Sequence, residues 1–580
     1  MTLPSLSAHA RLLSGAAVVS ALLAAPAVAQ DVPLVYAAEG AAIGLSVLGT
    51  HQSGIYEESA AEIVTYDAAS KRGFVINAAA GAVDVMDLSD PTQPVVINTI
   101  TLTEVGAGVN SISIKNGVVA MAVQNNTVTD NGFVVLADID GAILATVEVG
   151  ALPDALTFSP DGNWVLVVNE GEPREDFGID PEGSISVIDI SGGAATVTQA
   201  NVRTADFRAY NGQEDALREA GVRIFGPGAS AAQDFEPEWV EVSSDNTTAY
   251  ASLQENNAIA VIDIASATIT DVLPLGFKDW SENGAWSGAG LDTSRKGEVN
   301  IRHWPVFGIL LPDTIRVFEV AGETYILTAN EGDARAYDED GWWLEEFAIE
   351  DLQLDATAFP NAAELQEDTA IGKLLVTSTL GVANECNPSL STAEVQALGF
   401  AEIGEYVAAE CVYDALYTFG GRSASIFKVG EGALELVWDS GSDFEEITLA
   451  ANPDYFNADH AHRETQLKRR SVNKGPEPEG AAIGEIDGRL YGFIGFERVG
   501  GVMVYDITEP ANATFVTYIN NRDFSLAHSE EGGTTTDLGA EGLYFIPAAD
   551  SPDAQGRPVL MVGNEVSGTT TLFAIDRLAP

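Results

Sequence analysis

The chain has 580 residues, with 86 Asp plus Glu against 28 Lys plus Arg and a formal charge of −58. That imbalance excludes generic binding to nucleic acid or to anionic membranes, whose phosphates it would repel. A hydrophobic fraction of 46% excludes a disordered chain, and two Cys exclude a disulfide scaffold or a Cys-rich zinc site.

The first 29 residues read as a Sec-type signal. His9 and Arg11 open it, an apolar run follows from Leu12 to Ala25, and Ala27-Val-Ala fits a small-x-small cleavage site near Ala29. The run is too short for a membrane span, and no later segment reaches the roughly 18 apolar residues that one needs. A secreted or periplasmic, soluble monomer is expected.

From there the chain repeats itself. Each unit opens on an acid or amide, runs through a strand, a turn and a second strand, and ends on a third strand near Asp-Ile or Asp-Leu. The clearest copies start at Asp154 and Glu238, and others at Glu62, Asn110, Asp313, Glu479 and Glu541. Period-2 alternation rich in Val, Ile, Thr and aromatics marks strands. About seven such units predict an all-β chain, a single β-propeller of seven blades over 30–580. The last unit is one strand short, so the segment from Ile43 to Val47 is expected to complete it.

The surplus over bare blades falls in insertions at about 195–235, 275–310, 335–420 and 440–477, where the only helical signals occur. Loops this long are more often functional than incidental. Cys386 and Cys411 share one insertion, and an oxidising compartment makes a disulfide between them plausible, with two free buried thiols as the alternative.

Adjacent strands in a blade are antiparallel, so the start of the first lies beside the end of the second. Both places carry acids. The openers Glu62, Asp154, Glu238, Asp313, Glu479 and Glu541 are candidate metal ligands, and second strands end near Glu170, Glu255, Glu331, Glu497 and Glu565. Repetition around a ring would bring all of them to one mouth, where crowded carboxylates must protonate or share a cation. Hard oxygen ligands favour Ca²⁺, then Mg²⁺, over zinc. The alternative is that these acids simply accept hydrogen bonds from strand-end amides. Arg174, Arg335 and Arg498 follow such acids closely and are placed near the mouth, either to hold a phosphate or to neutralise carboxylates. His460 and His462 are the one paired set of imidazoles; in a polar loop they read as solvated, as does Lys468-Arg-Arg.

Six segments go beyond generic repeats: Ser59-Ala-Ala-Glu-Ile-Val-Thr-Tyr-Asp, Val168-Asn-Glu-Gly-Glu-Pro, Leu253-Gln-Glu-Asn-Asn-Ala-Ile-Ala, Thr328-Ala-Asn-Glu-Gly-Asp-Ala-Arg, Lys474-Gly-Pro-Glu-Pro-Glu-Gly and Gly563-Asn-Glu-Val-Ser-Gly-Thr-Thr-Thr. In that order they resemble the choice-of-anchor I family of exported bacterial propellers, related to mesenchyme-specific cell-surface glycoproteins of animals. Pro476-Glu-Pro-Glu-Gly and Ala540-Glu-Gly-Leu are also similar to motifs of phytase-like esterase propellers, which implies a Ca²⁺-dependent phosphoester site with Glu479 and Glu541 as ligands.

Two functions follow as expectations. One is a secreted phosphoesterase acting on a small-molecule phosphoester through cation-activated water, with Glu331, Arg335, Lys474, Glu497 and Arg498 as the catalytic set. The other is a non-catalytic envelope module that binds cations, an extracellular polymer such as polysaccharide, or a mineral surface. A phosphatase needs Arg and Lys inside the acidic mouth; a cation-binding surface needs only acids.

Overall fold

A computed structural model describes residues 33–174, 177–284, 288–337, 343–460, 467–524 and 536–578. The proposed signal segment and His462 lie outside the described residues. The architecture is a β-propeller. Seven antiparallel sheets of four or five strands carry the repeats, each in chain order except where an N-terminal strand joins the last two. Their innermost strands are Val64–Asp67, Gly108–Lys115, Pro153–Phe158, Pro237–Val242, Ile315–Val320, Pro478–Ile486 and Ala540–Ile546. Each touches the next, and the last touches the first.

Apolar clusters between neighbouring sheets hold this arrangement together. Leu166, Val168, Ile185 and Val187 pack against Val240, Leu253 and Ile262, and Val64, Tyr66 and Met86 pack against Ile546, Val559 and Met561. The second contact joins the last sheet to the first, so the sheets close on themselves and leave only short edges.

The strand Ile43–Gln52 completes the last sheet, with Ile43 opposite Arg577 and Val47 opposite Phe573. Its Ile43 and Leu45 enter the core beside Phe573 and Ile575. Leu34–Ala37 adds a fifth strand to the preceding sheet by pairing with Thr517 to Asn520. The N-terminal segment therefore stitches two sheets, only one of which the sequence announces.

All described α-helices fall within the predicted insertions, among them Glu214–Ala220, Thr392–Leu398 and Asp443–Ala451. One boundary differs: Val202–Asp206, inside the range 195–235, is the fourth strand of its blade. The insertions build a second layer with its own core of Trp280, Trp304, Trp343, Phe347 and Tyr413. A disulfide joins Cys386 to Cys411 in that layer, with Cα atoms 5.1 Å apart.

Candidate metal centre

Local sequence aims the openers. Pro153, Pro237 and Pro478 start their strands immediately before Asp154, Glu238 and Glu479, and a register shift follows at each of these positions. The same irregularity recurs at Glu541 and at Asn110. A β-bulge re-aims the side chain at the unpaired residue, and here that residue is the opener. The Glu-Gly pairs have a packing reason as well. A Cβ at Gly480 would lie 1.7 Å from the Glu541 carbonyl oxygen, and one at Gly542 would lie 2.4 Å from that of Glu62. Glycine lets these strands approach closely enough to bring their openers together.

The acids do converge. Donor oxygens of Glu62, Glu541 and Glu565 lie within 4.8 Å of one another, as do those of Asp313, Glu331 and Glu479. Glu331, Glu477 and Glu497 form a third group of this spacing, and His460, Glu497 and Glu565 a fourth. Asp154 and Glu238 are close enough to hydrogen-bond each other. Below the mouth all seven inner strands line a cavity of about 430 Å³, into which Arg316 reaches to pair with Glu241 at 2.5 Å.

Burial makes ionisation costly here. It is the largest cause raising Glu62, Asp154, Glu255 and Glu331 to about 7 and Glu565 to about 8. Glu170, Glu238, Asp313, Glu479 and Glu541 stand well above the usual range, from burial first and then a neighbouring carboxylate. Glu477 goes the other way. It is fully enclosed, with φ +60°, and burial opposes its charge, yet Lys474, Arg470 and Arg498 outweigh that and hold it well below the usual value.

Two predicted bases stand in the mouth. Lys474 Nζ lies 3.1 Å from Glu331, 2.9 Å from Glu477 and 3.4 Å from Asp333. Arg498 Nη1 lies 2.8 Å from Glu497 and donates to His460 Nδ1 at 2.7 Å, while its Nε is 3.3 Å from Glu477. The second oxygen of Glu331 accepts from Gln254 at 2.7 Å.

Arg335 is not part of this group. It is buried and forks onto Asp234 at 2.6 Å and Glu236 at 2.7 Å, with its guanidinium 4.6 Å above the Phe225 ring. Its acidic partners come from the insertion about a hundred residues earlier, which the local run after Glu331 does not reveal. Two solvated readings also need correction. Lys468 is 2% exposed and pairs with Asp292 at 3.1 Å, and His460 reaches Glu497 and Arg498. Glu477 and Glu565 were not singled out as ligands from sequence. Glu565 could have been, since it ends a second strand as Glu331 does; nothing in the spacing marks Glu477.

A model of the choice-of-anchor I domain matches residues 62–510. Among curated relatives, Gigasin-3a of Magallana gigas is 29% identical over 174 residues, 29% of this chain and 60% of its own length. The mesenchyme-specific cell surface glycoprotein of Strongylocentrotus purpuratus is 26% identical over 332 residues, 53% of this chain and 38% of its own length. The chain therefore spans less than two thirds of the length of these relatives. Among solved structures, a virginiamycin B lyase from Staphylococcus aureus aligns at TM-score 0.40 and 8% identity, covering 92% of this chain and 99% of its own. The Myceliophteria thermophila Cps50 (Swd1) β-propeller domain aligns at 0.39 and 9%, covering 90% and 98%.

Proposed function

The chain belongs to the choice-of-anchor I family, and from that premise and the geometry of its mouth we propose an exported propeller that binds divalent cations, Ca²⁺ first and Mg²⁺ second. One observation carries the reading. Glu479 and Glu541 each hold a carboxylate oxygen shut off from solvent with no hydrogen-bond partner, inside groups of donors within 4.8 Å. A buried carboxylate oxygen without a partner is costly, and a cation removes that cost. The donors are all oxygens in the groups that contain them, which suits Ca²⁺; Mg²⁺ demands a tighter octahedron and sheds water reluctantly.

Export is consistent with the disulfide, which persists in oxidising compartments. Among the described residues no helix is long and apolar enough to cross a membrane.

Thermal unfolding with Ca²⁺, with Mg²⁺ and with chelator tests the cation reading. Each site at a hundred times its Kd adds about 2.7 kcal/mol, so the midpoint should rise with Ca²⁺ and fall in chelator. An unchanged midpoint would leave the acids as a protonated lining.

A second reading, hydrolysis of a phosphoester, is favoured by one specific feature: Lys474 and Arg498 stand among the carboxylates rather than outside them. In this reading Glu331 and Glu497 help to hold cations, while Lys474 and Arg498 turn toward phosphoryl oxygens. Cations there would supply charge neutralisation and an activated water. Arg335, committed to Asp234 and Glu236, drops out of the catalytic set. A phosphoester panel with Ca²⁺, repeated in chelator, separates this from a module that only binds cations or an extracellular polymer. Turnover that disappears with chelator and in Lys474→Ala supports the enzyme; no turnover on any substrate leaves the binding module.

A further inference from the structure

The four donor groups of the mouth are not equivalent. They form a linked series: Glu565 joins the group of Glu62 to that of His460, Glu497 joins that of His460 to that of Glu477, and Glu331 joins that of Glu477 to that of Asp313. The two inner groups contain the protein's own cations. Arg498 Nη1 sits 2.7 Å from His460 and 2.8 Å from Glu497. Lys474 Nζ sits 3.1 Å from Glu331 and 2.9 Å from Glu477. The two outer groups differ in a consistent way. Among the described residues no Lys or Arg comes within ion-pair distance of Glu62, Glu541, Glu565, Asp313 or Glu479. Each outer group also holds a solvent-closed, unbonded oxygen, on Glu541 in one and on Glu479 in the other; the like oxygen of the inner groups, on Glu477, instead faces Lys474 at 2.9 Å and Arg498 at 3.3 Å.

An ammonium and a guanidinium seated in two groups show what such a spacing accepts. The outer groups repeat the spacing with an oxygen left unbonded, and the only tethered cation that touches either, among the described residues, is Lys474 on the shared member Glu331. Resting on the cation reading above, we propose that the mouth binds two exchangeable divalent ions per chain, one at Glu62, Glu541 and Glu565 and one at Asp313, Glu331 and Glu479. Lys474 and Arg498 act as built-in cations that keep free ions out of the groups between them. A partner that reaches both free ions also meets a fixed ammonium and a fixed guanidinium, an arrangement that suits a multiply charged anion with separated oxygens.

The experiment is Ca²⁺ stoichiometry by calorimetry on chelator-stripped full-length protein, checked by native mass spectrometry. Two ions per chain are expected. Glu541→Gln and Glu479→Gln should each reduce the count to one, and circular dichroism should show both variants folded. Lys474→Met should raise the count to three by opening the group of Glu331, Glu477 and Glu497. A wild-type count of one, three or four, or an unchanged count in Lys474→Met, would overturn this partition while leaving cation binding in place. A count of zero in folded protein would overturn both.

Discussion

The insertion layer and the mouth handle buried charge in opposite ways. Around the insertions every major buried base has an acid to itself: Arg223 meets Glu345, Arg422 meets Glu445 at 2.6 Å, Lys278 meets Asp439 at 2.8 Å, and Arg335 divides itself between Asp234 and Glu236. In the mouth, Glu62, Asp154, Glu170, Glu238, Asp313, Glu479, Glu541 and Glu565 have no base at ion-pair distance among the described residues. The same chain, with only 28 basic residues, commits several to a structural layer and leaves the crowded acids without them. Scarcity alone does not explain that distribution. Paired charges lock a surface in place, whereas unpaired ones are satisfied by protons or by ions from outside. The contrast separates a scaffold from a receptor.

The sharpest way to break the contrast is to unpair the insertion layer. Arg422 is 1% exposed; beyond Glu445 it donates to the carbonyls of Asp292, Ser471 and Asn473. Arg422→Ala strands a buried carboxylate and should cost about 3–5 kcal/mol in equilibrium urea unfolding. A loss below about 1 kcal/mol would show that this layer tolerates unpaired acids as the mouth does.

Somewhat smaller is the effect of opening the disulfide. Cys386→Ser releases a loop with a sequence separation of 25 and should cost about 2–4 kcal/mol. Hydrogen exchange should place the loss in the insertion layer, around Thr392–Leu398 and Ile403–Glu410. Loss of Ca²⁺ affinity in the same variant would show that the two regions are coupled.

The mouth alone should give a pH dependence of stability in chelator. Its carboxylates titrate near 7 or 8 in the folded chain, against a usual 4.5 for Glu. The folded state therefore binds more protons than the unfolded one between those values. Stability from these groups is complete below the unfolded pKa and is lost as pH rises through 7 to 8. Glu477 has the opposite sign and contributes only where it is ionised, so it cannot produce a fall with rising pH. The melting midpoint in chelator should drop from pH 5 to pH 8, and saturating Ca²⁺ should flatten the slope by replacing protons with ions. A flat profile in chelator would mean that the acids are solvated.

Much of the scaffold was legible because strand period and repeat register both survive in the sequence. The closing strand Ile43–Gln52 announced itself by its length and by the strand missing from the last unit. Leu34–Ala37 did not: four residues, three of them exposed, carry no alternation to detect. The openers were legible for the same reason as the blades, since their position in the repeat fixes their place on the ring. The bases were harder. Lys474 and Arg498 fell near the mouth as expected, and Arg335 took the neutralising alternative, through partners Asp234 and Glu236 that its own local run does not reveal. Proximity in sequence predicted position only where the repeat enforced it.

The smallest expected effect is also the most discriminating, because its sign should depend on the ion. Glu541 faces Glu62, Glu565, Asp313 and Glu497, and burial and those charges together raise its pKa well above the usual range. Glu541→Gln replaces a carboxyl that must hold either a proton or an unfavourable charge in that crowd with a permanently neutral amide that can donate to a neighbouring carboxylate. In chelator at pH 8 the variant should be more stable than the wild type by about 1 kcal/mol, the scale of one pKa unit. In saturating Ca²⁺ the order should reverse, because the variant has lost an anionic ligand and with it part of the ion's stabilisation. Scaffold positions behave otherwise: Arg422→Ala should destabilise by the same amount with and without Ca²⁺. If Glu541→Gln also shifts stability equally in both conditions, Glu541 belongs with the scaffold, and the division between the paired layer and the unpaired mouth fails at its central residue.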